Sequence, residues 1–205
     1  MKLIYSSTSP YVRKVMMVAH ELGIVDQLEL MPAAVNPIEL NAEVSSLNPL
    51  TKVPVLIDDN DGALYDSPVI CDYLDSLHDG SRLVPAEGPE RWRLLRLQAL
   101  ADGVGDAVVT TGSERNRPVG DQRGELLQAL AVRINAGLDY VEENPAELDG
   151  ALNLGQVALA CALGYFDLRV RDNGWRDHRP KIAAWYSEFK QRPSMLETRY
   201  QPPGA

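Results

Sequence analysis

Cysteine is scarce in this chain. Only Cys71 and Cys161 occur, so no Cys-x-x-Cys redox pair and no thiolate set for zinc can form. Both sit in apolar helical contexts, Val69-Ile70-Cys71 and Leu159-Ala160-Cys161, and read as small buried hydrophobes. His20, His78 and His178 are scattered and give no i, i+4 ligand pair, so no metal is expected. Positive charge is also short, with 20 Lys and Arg against 29 Asp and Glu, net charge −9 and pI about 4.8. A nucleic-acid binder carries a basic face, so nucleic acid is not an expected partner. No G-x-G-x-x-G and no P-loop is present, which excludes the usual nucleotide boxes. The longest apolar run, Val157 to Phe166, is half the ~20 residues of a membrane helix. Met1-Lys2-Leu3-Ile4-Tyr5-Ser6-Ser7 lacks the roughly 7–15-residue apolar core of a signal peptide. No membrane association and a cytoplasmic location are therefore expected.

What is present is ordinary for a globular chain: 205 residues, 45% apolar and 24% charged. The charge is lopsided. Residues 1–79 hold four Lys and Arg against twelve Asp and Glu; residues 80–205 hold sixteen against seventeen. Two modules are expected, 1–79 and 90–205, joined by a linker over 80–89. An anionic ligand of the first module must be held by local groups, because the overall field opposes it.

Lys2 to Tyr5 reads as a strand. Ser9 is a helix N-cap with Pro10 at the first helical position. Val12, Val15, Met16, Ala19 and Leu22 keep the helical period to Leu22, and Gly23 stops it. Leu28 to Met31 is a second strand, parallel to the first by the β-α-β rule. Asn36-Pro37 breaks the chain, and a short helix is expected near Glu39 to Ser45. Val55 to Ile57 and Ala63 to Tyr65 form a hairpin across Asp58-Asp59-Asn60-Asp61-Gly62. Asp66-Ser67-Pro68 repeats the cap-then-proline signal and opens a helix with Val69, Ile70, Tyr73, Leu74 and Leu77 inward. This order predicts a thioredoxin-like α/β domain with a mixed four-stranded sheet, βαβ-ββα. Helices follow over Glu90–Asp106, with Trp92, Leu95, Ala99 and Val104 in period, and over Gly124–Glu143, Leu152–Val170 and Pro180–Gln191. The second module is thus an all-α bundle, with Leu152–Val170 apolar nearly all round and central.

Three corners of the first module carry chemistry. Ser9 stands where a helix offers free N–H groups and about half a positive charge, and its hydroxyl can donate to a thiolate; by itself it is also a plain N-cap. Pro54 cannot join a sheet ladder. A cis Val53-Pro54 bond would turn the Val53 backbone toward an extended peptide; the alternative is an ordinary strand-entry proline. Asp66-Ser67 can hold an ammonium and a carboxylate, the two groups on one carbon of a γ-glutamyl residue; the alternative is a cap pair.

Together, Ser9-Pro10-Tyr11-Val12-Arg13, Asn48-Pro49-x-x-Lys52-Val53-Pro54-Val55-Leu56 and Asp66-Ser67-Pro68-Val69-Ile70 resemble the glutathione-binding half of the glutathione S-transferase family. Arg91-Trp92 to Ala101-Asp102, Glu114-Arg115 with Arg117-Pro118, and Arg192-Pro193-Ser194 extend the resemblance through the helical module. It implies that Ser9 activates the glutathione sulfur and that Val53, before a cis Pro54, pairs with the cysteinyl backbone. It implies that Asp66 and Ser67 hold the γ-glutamyl group and that Lys52 approaches the glycyl carboxylate. Glutathione is then a co-substrate with no prosthetic group, a small hydrophobic electrophile is the second substrate, and a homodimer is the implied assembly. Tyr11, Thr110, Thr111, Glu114 and Arg115 are the implied lining of the electrophile pocket.

Two departures stand out. Ser6 and Ser7 lie close enough in sequence to take the role given to Ser9. The central C-terminal helix opens with Asn153-Leu154-Gly155-Gln156 in place of the family's Ser/Thr-x-x-Asp box, which predicts a weaker box, and Gly155 subtracts about 1 kcal/mol of helix propensity. Without cysteine at position 9, thiol transfer is not expected. The alternative to a transferase is a family member that binds glutathione or a partner protein without turnover.

Overall fold

The computed structural model describes residues 1–36, 38–60, 62–170 and 174–200. Pro37 and Asp61, expected in a breaker and in the hairpin turn, lie outside them. The chain divides into two compact units. One is Met1–Leu83 together with the C-terminal segment that begins at Pro193; the other is Val84–Arg192. That segment, grouped with the helical module on sequence grounds, packs on the first unit.

The first unit contains strands β1 (Lys2–Tyr5), β2 (Glu29–Pro32), β3 (Val55–Asp58) and β4 (Gly62–Leu64) in the order β2-β1-β3-β4. β1 runs parallel to β2 and antiparallel to β3, and β3 pairs antiparallel with β4. This is the mixed four-stranded sheet of a thioredoxin-like domain. Helices α1 (Pro10–Glu21) and α3 (Ser67–Ser76) pack against each other, while the short α2 (Ala42–Leu47) adds Val44 to a core of Ile4, Val12, Val53 and Val55.

The inward face of α3 differs from the expectation. Ile70 and Leu74 are inside, but Val69 and Leu77 are exposed, and Cys71 and Asp75 are buried in their place. A polar residue is stable there because the Asp75 Oδ1 accepts the Leu83 N–H at 2.9 Å and meets His78 Nε2 at 3.3 Å. His78 Nδ1 accepts the Gly80 N–H at 2.9 Å, which leaves Nε2 as the donor to Asp75.

The second unit is helical: α4 (Pro89–Arg115), α5 (Gly124–Glu143), α6 (Leu154–Arg169) and α7 (Pro180–Phe189). α4 runs nine residues beyond the expected Asp106, and its buried stripe is Leu94, Leu97, Ala101, Val104 and Val108, with Trp92 exposed. α6 is buried without a break from Leu154 to Phe166, as its all-round apolar sequence predicts. Its capping box is complete: Asn153 Oδ1 accepts the Gln156 N–H at 3.0 Å, and Gln156 Oε1 accepts the Asn153 N–H at 3.3 Å. The Gln156 amide also donates to the Leu148 carbonyl at 2.8 Å. Gly155 has a packing role as well. A Cβ there would lie 3.0 Å from the Leu94 carbonyl and from Leu97, so the bare position is what lets α6 lie against α4. The expected weakness of this helix start is therefore corrected by contacts that propensity does not count.

A further short helix, α8 (Pro193–Glu197), lies against α1 within the first unit.

Candidate functional site

Sheet register gathers the three corners. Ile4 lies opposite Val55, and Leu56 opposite Leu64. The end of β1, the start of β3 and the end of β4 therefore share one end of the sheet. Ser9 follows β1 by four residues, Val53 precedes β3 by two, and Asp66 and Ser67 follow β4 by two and three. The N-termini of α1 and α3 open at that same end.

Ser9 is the N-cap of α1, with extended φ −79° and ψ 125°. Its Oγ accepts the Val12 N–H at 3.2 Å, and its carbonyl accepts the Arg13 N–H at 3.0 Å. The cap uses the oxygen as an acceptor, which leaves the hydroxyl hydrogen able to donate. Ser6 contributes its carbonyl to the turn, accepting the Ser9 N–H at 3.1 Å. Ser7 is exposed and lies outside the helix. Pro10 is in the first turn, where its missing N–H costs nothing.

The Val53-Pro54 peptide bond is cis. Among the described residues, no turn, loop or cap hydrogen bond uses the Val53 N–H or carbonyl. Both flank a buried side chain, 8% exposed. Asn48 shapes this loop, and sequence reasoning gave it no role. Asn48 is 1% exposed; its Nδ2 donates to the Lys52 carbonyl at 2.9 Å and its Oδ1 accepts the Leu50 N–H at 3.0 Å. The Asn48 carbonyl accepts the Thr51 N–H at 2.8 Å, and Thr51 takes φ 53°, rare for a β-branched residue. An Asn followed by Pro is the turn signal that could have marked it. The Lys52 side chain is exposed.

Asp66 is the N-cap of α3, yet its side chain makes no cap hydrogen bond. Its carboxylate is exposed, while Ser67 is buried at 2%. The helix start keeps its ordinary orphan donors, beside a carboxylate that takes no part in the cap. The preceding Tyr65-Asp66 bond is also cis, which the sequence did not announce. One edge of the unit thus presents a hydroxyl on one helix N-terminus, a carboxylate on another, and a strand-like backbone between. That set suits a short zwitterionic peptide bearing an anionic centre.

The residues expected around an electrophile fall in different places. Tyr11 is in the first turn of α1, with Lys14 Nζ 5.9 Å from its ring. Thr110, Thr111, Glu114 and Arg115 belong to α4 in the second unit. Thr110 and Thr111 donate their hydroxyls to the Asp106 and Ala107 carbonyls of their own helix, each at 2.8 Å. Glu114 is 3% exposed and ties the end of α4 to the start of α5. Its Oε2 accepts from Arg123 Nη2 at 2.7 Å and its Oε1 from the Arg123 backbone N–H at 2.7 Å. These Arg123 hydrogen bonds, side chain first, hold its carboxyl down at about 2. Arg115 is exposed.

A family model described as glutathione S-transferase, N-terminal domain, matches residues 8–77. The uncharacterized GST-like protein YibF of Escherichia coli strain K12 is 34% identical over 212 residues, covering all of both chains. The chain belongs to the glutathione S-transferase family. The matched stretch contains Ser9, Val53, Pro54, Asp66 and Ser67, but none of the α4 residues. A glutathione transferase family member from Pseudomonas fluorescens Pf-5, solved with bound glutathione, superposes with a TM-score of 0.95 at 42% identity; 98% of this chain and 99% of that one are covered. A structure of a Pseudomonas fluorescens Pf-5 family member with bound S-(propanoic acid)-glutathione gives 0.90 at 41%, covering 98% and 100%.

Among the described residues, no helix is long and apolar enough to cross a membrane.

Proposed function

We propose that this protein is a glutathione transferase that binds glutathione at the shared end of its sheet and holds the sulfur as a thiolate at Ser9. The observation that carries the reading is the division of labour at Ser9: the oxygen caps α1 while the hydrogen remains available to an anion. A free thiol titrates near ~8.5. Lowering that by about two units takes roughly 2.7 kcal/mol. One hydroxyl donating to the charged sulfur contributes about 1.5–3 kcal/mol, and the helix N-terminus about 0.3–1 kcal/mol. The two together match the requirement.

In this reading the Val53 N–H and carbonyl pair with the cysteinyl residue as an added strand would. The Asp66 carboxylate takes the γ-glutamyl ammonium, and the Ser67 hydroxyl with the α3 N-terminus takes its carboxylate. Lys52 faces the glycyl carboxylate. The thiol proton leaves to solvent, the sulfur lone pair forms a bond to an electrophilic carbon, and the displaced group departs with its electron pair. The protein itself forms no covalent intermediate. The Pseudomonas relative that holds S-(propanoic acid)-glutathione supports a site able to keep a glutathione whose sulfur bears carbon. Tyr11, two residues after Ser9, and the α4 residues Thr110, Thr111, Glu114 and Arg115 are proposed on the electrophile's side. A homodimer, a cytoplasmic setting and a detoxifying role belong to the same proposal.

The test joins calorimetry with glutathione to a conjugation assay with an aryl halide. Heat of binding and thioether product support the reading. Heat without product from any electrophile in a broad panel moves the protein to the binding-only alternative, and absence of heat overturns both.

A further inference from the structure

We propose that Arg13 is a positioning residue for the sulfur site, acting by clamping the C-terminal segment Pro193–Tyr200 onto the first turns of α1. This deepens the reading of Ser9 given above and rests on it.

Arg13 is 7% exposed. Its Nη2 donates to the Met195 carbonyl at 3.0 Å, its Nε reaches Thr198 Oγ1 at 3.4 Å, and its guanidinium lies 4.6 Å from the centre of the Tyr200 ring. Thr198 in turn donates its hydroxyl to the Ser194 carbonyl at 2.6 Å. A buried cation needs partners, and every partner named here is a neutral group of one short segment. Among the described residues, no carboxylate forms an ion pair with it. The arrangement uses what distinguishes arginine from lysine: a planar fork that bonds two acceptors while stacking on an aromatic face.

The location gives the clamp its consequence. Arg13 follows Ser9 by four residues, and its N–H closes the first turn of α1 by bonding the Ser9 carbonyl at 3.0 Å. The segment has a second fastening at the other end of the helix, where Ser194 Oγ donates to Glu21 Oε1 at 2.5 Å. α1 is therefore held at both ends, and only the Arg13 end adjoins Ser9. A first turn free to fray would aim the Ser9 hydroxyl less well, and a thiolate bond depends steeply on that aim.

The experiment uses the full chain in four forms: wild type, the double variant Thr198→Val with Tyr200→Ala, Arg13→Lys, and Ser194→Ala. Amide exchange at Val12 and Arg13 is read without ligand, and conjugation rate against pH is read at saturating glutathione. The double variant and Arg13→Lys should exchange those amides at least about tenfold faster. Their rate should drop about threefold or more near pH 6.5 and converge on wild type near pH 9, where glutathione ionises unaided. Ser194→Ala should keep the wild-type pH profile. Unchanged exchange in the double variant overturns the clamp. A wild-type profile in Arg13→Lys overturns it too, because charge without the fork would then suffice. A uniform loss at every pH shows a merely structural role and also overturns it. Wild type that neither binds nor conjugates glutathione removes the functional reading, and the exchange arm still decides whether the segment holds the first turn.

Discussion

Asn48 donates its side-chain amide to the carbonyl of Lys52 at 2.9 Å, closing the loop that leads into Val53. The same side chain accepts from Leu50, and it is all but inaccessible. Replacing it leaves two part-buried backbone groups without their partner, at up to about 1–3 kcal/mol each. Asn48→Ala should therefore lower thermal stability and weaken glutathione binding about tenfold or more. Asn48→Asp keeps the acceptor for Leu50 and loses the donor to Lys52, so its loss should be intermediate. Calorimetry and thermal melts on both variants check this.

Ser9→Ala removes the proposed thiolate donor and the α1 cap together. The rate should drop about tenfold to a hundredfold near neutral pH, as one charge-assisted hydrogen bond predicts, while glutathione affinity changes only a few-fold. The cap loss alone should appear as about 0.5–2 kcal/mol of stability. Ser7→Ala serves as the control and should leave the rate unchanged. If Ser7→Ala abolishes conjugation and Ser9→Ala does not, the sulfur belongs to the earlier serine.

At the other helix start the expected split is reversed. Asp66→Ala and Ser67→Ala should each weaken glutathione binding about tenfold or more, with the rate at saturation nearly kept, since the proposal puts these groups at the γ-glutamyl end and not at the sulfur. Asp66→Ala should cost little stability, because its carboxylate takes no part in the cap. A fall in saturated rate with intact affinity would contradict the assignment.

Glu114 makes part of the stability of the helical unit depend on pH. Arg123 holds its carboxyl at about 2, below its ordinary 4.5. A depressed carboxyl contributes fully above its unfolded value and loses that contribution as pH falls toward the folded one. The stability gap between wild type and Glu114→Gln should be widest above pH 4.5 and should shrink between there and about 2. Denaturant melts across that range measure it, and a gap independent of pH would contradict the cause.

Gly155→Ala separates propensity from packing. Alanine is the better helix former by about 1 kcal/mol. Yet a Cβ would stand 3.0 Å from the Leu94 carbonyl, a backbone atom that cannot swing aside. The variant should lose about 1–3 kcal/mol, the usual range for overpacking. A stabilised Gly155→Ala protein would show that α4 and α6 separate freely.

Much of this was legible in the sequence because it is local. The cap-then-proline signals at Ser9-Pro10 and Asp66-Ser67-Pro68 act within a few residues, and both helices start there. Helix phase was less legible. Val69 and Leu77 look like core by hydrophobicity, but Asp75 is buried because of partners eight and three residues away. The capping box at Asn153 was chemically readable, whereas the value of Gly155 was not, since it depends on Leu94 some sixty residues earlier. The ion pair that Glu114 makes with Arg123 across a loop had no sequence signal either. The attachment of the C-terminal segment to α1 had no sequence signal, because Arg13 meets Met195 across more than 180 positions.

The chain leaves the first unit at Leu83 and returns to it only at Pro193. During translation, the sheet and α1 emerge long before the segment that fastens α1. Nascent chains carrying only the first eighty-odd residues must therefore fold without their clasp. That unit is finished last although it is made first, so a truncated nascent chain and the released protein should differ most in the helix that bears Ser9.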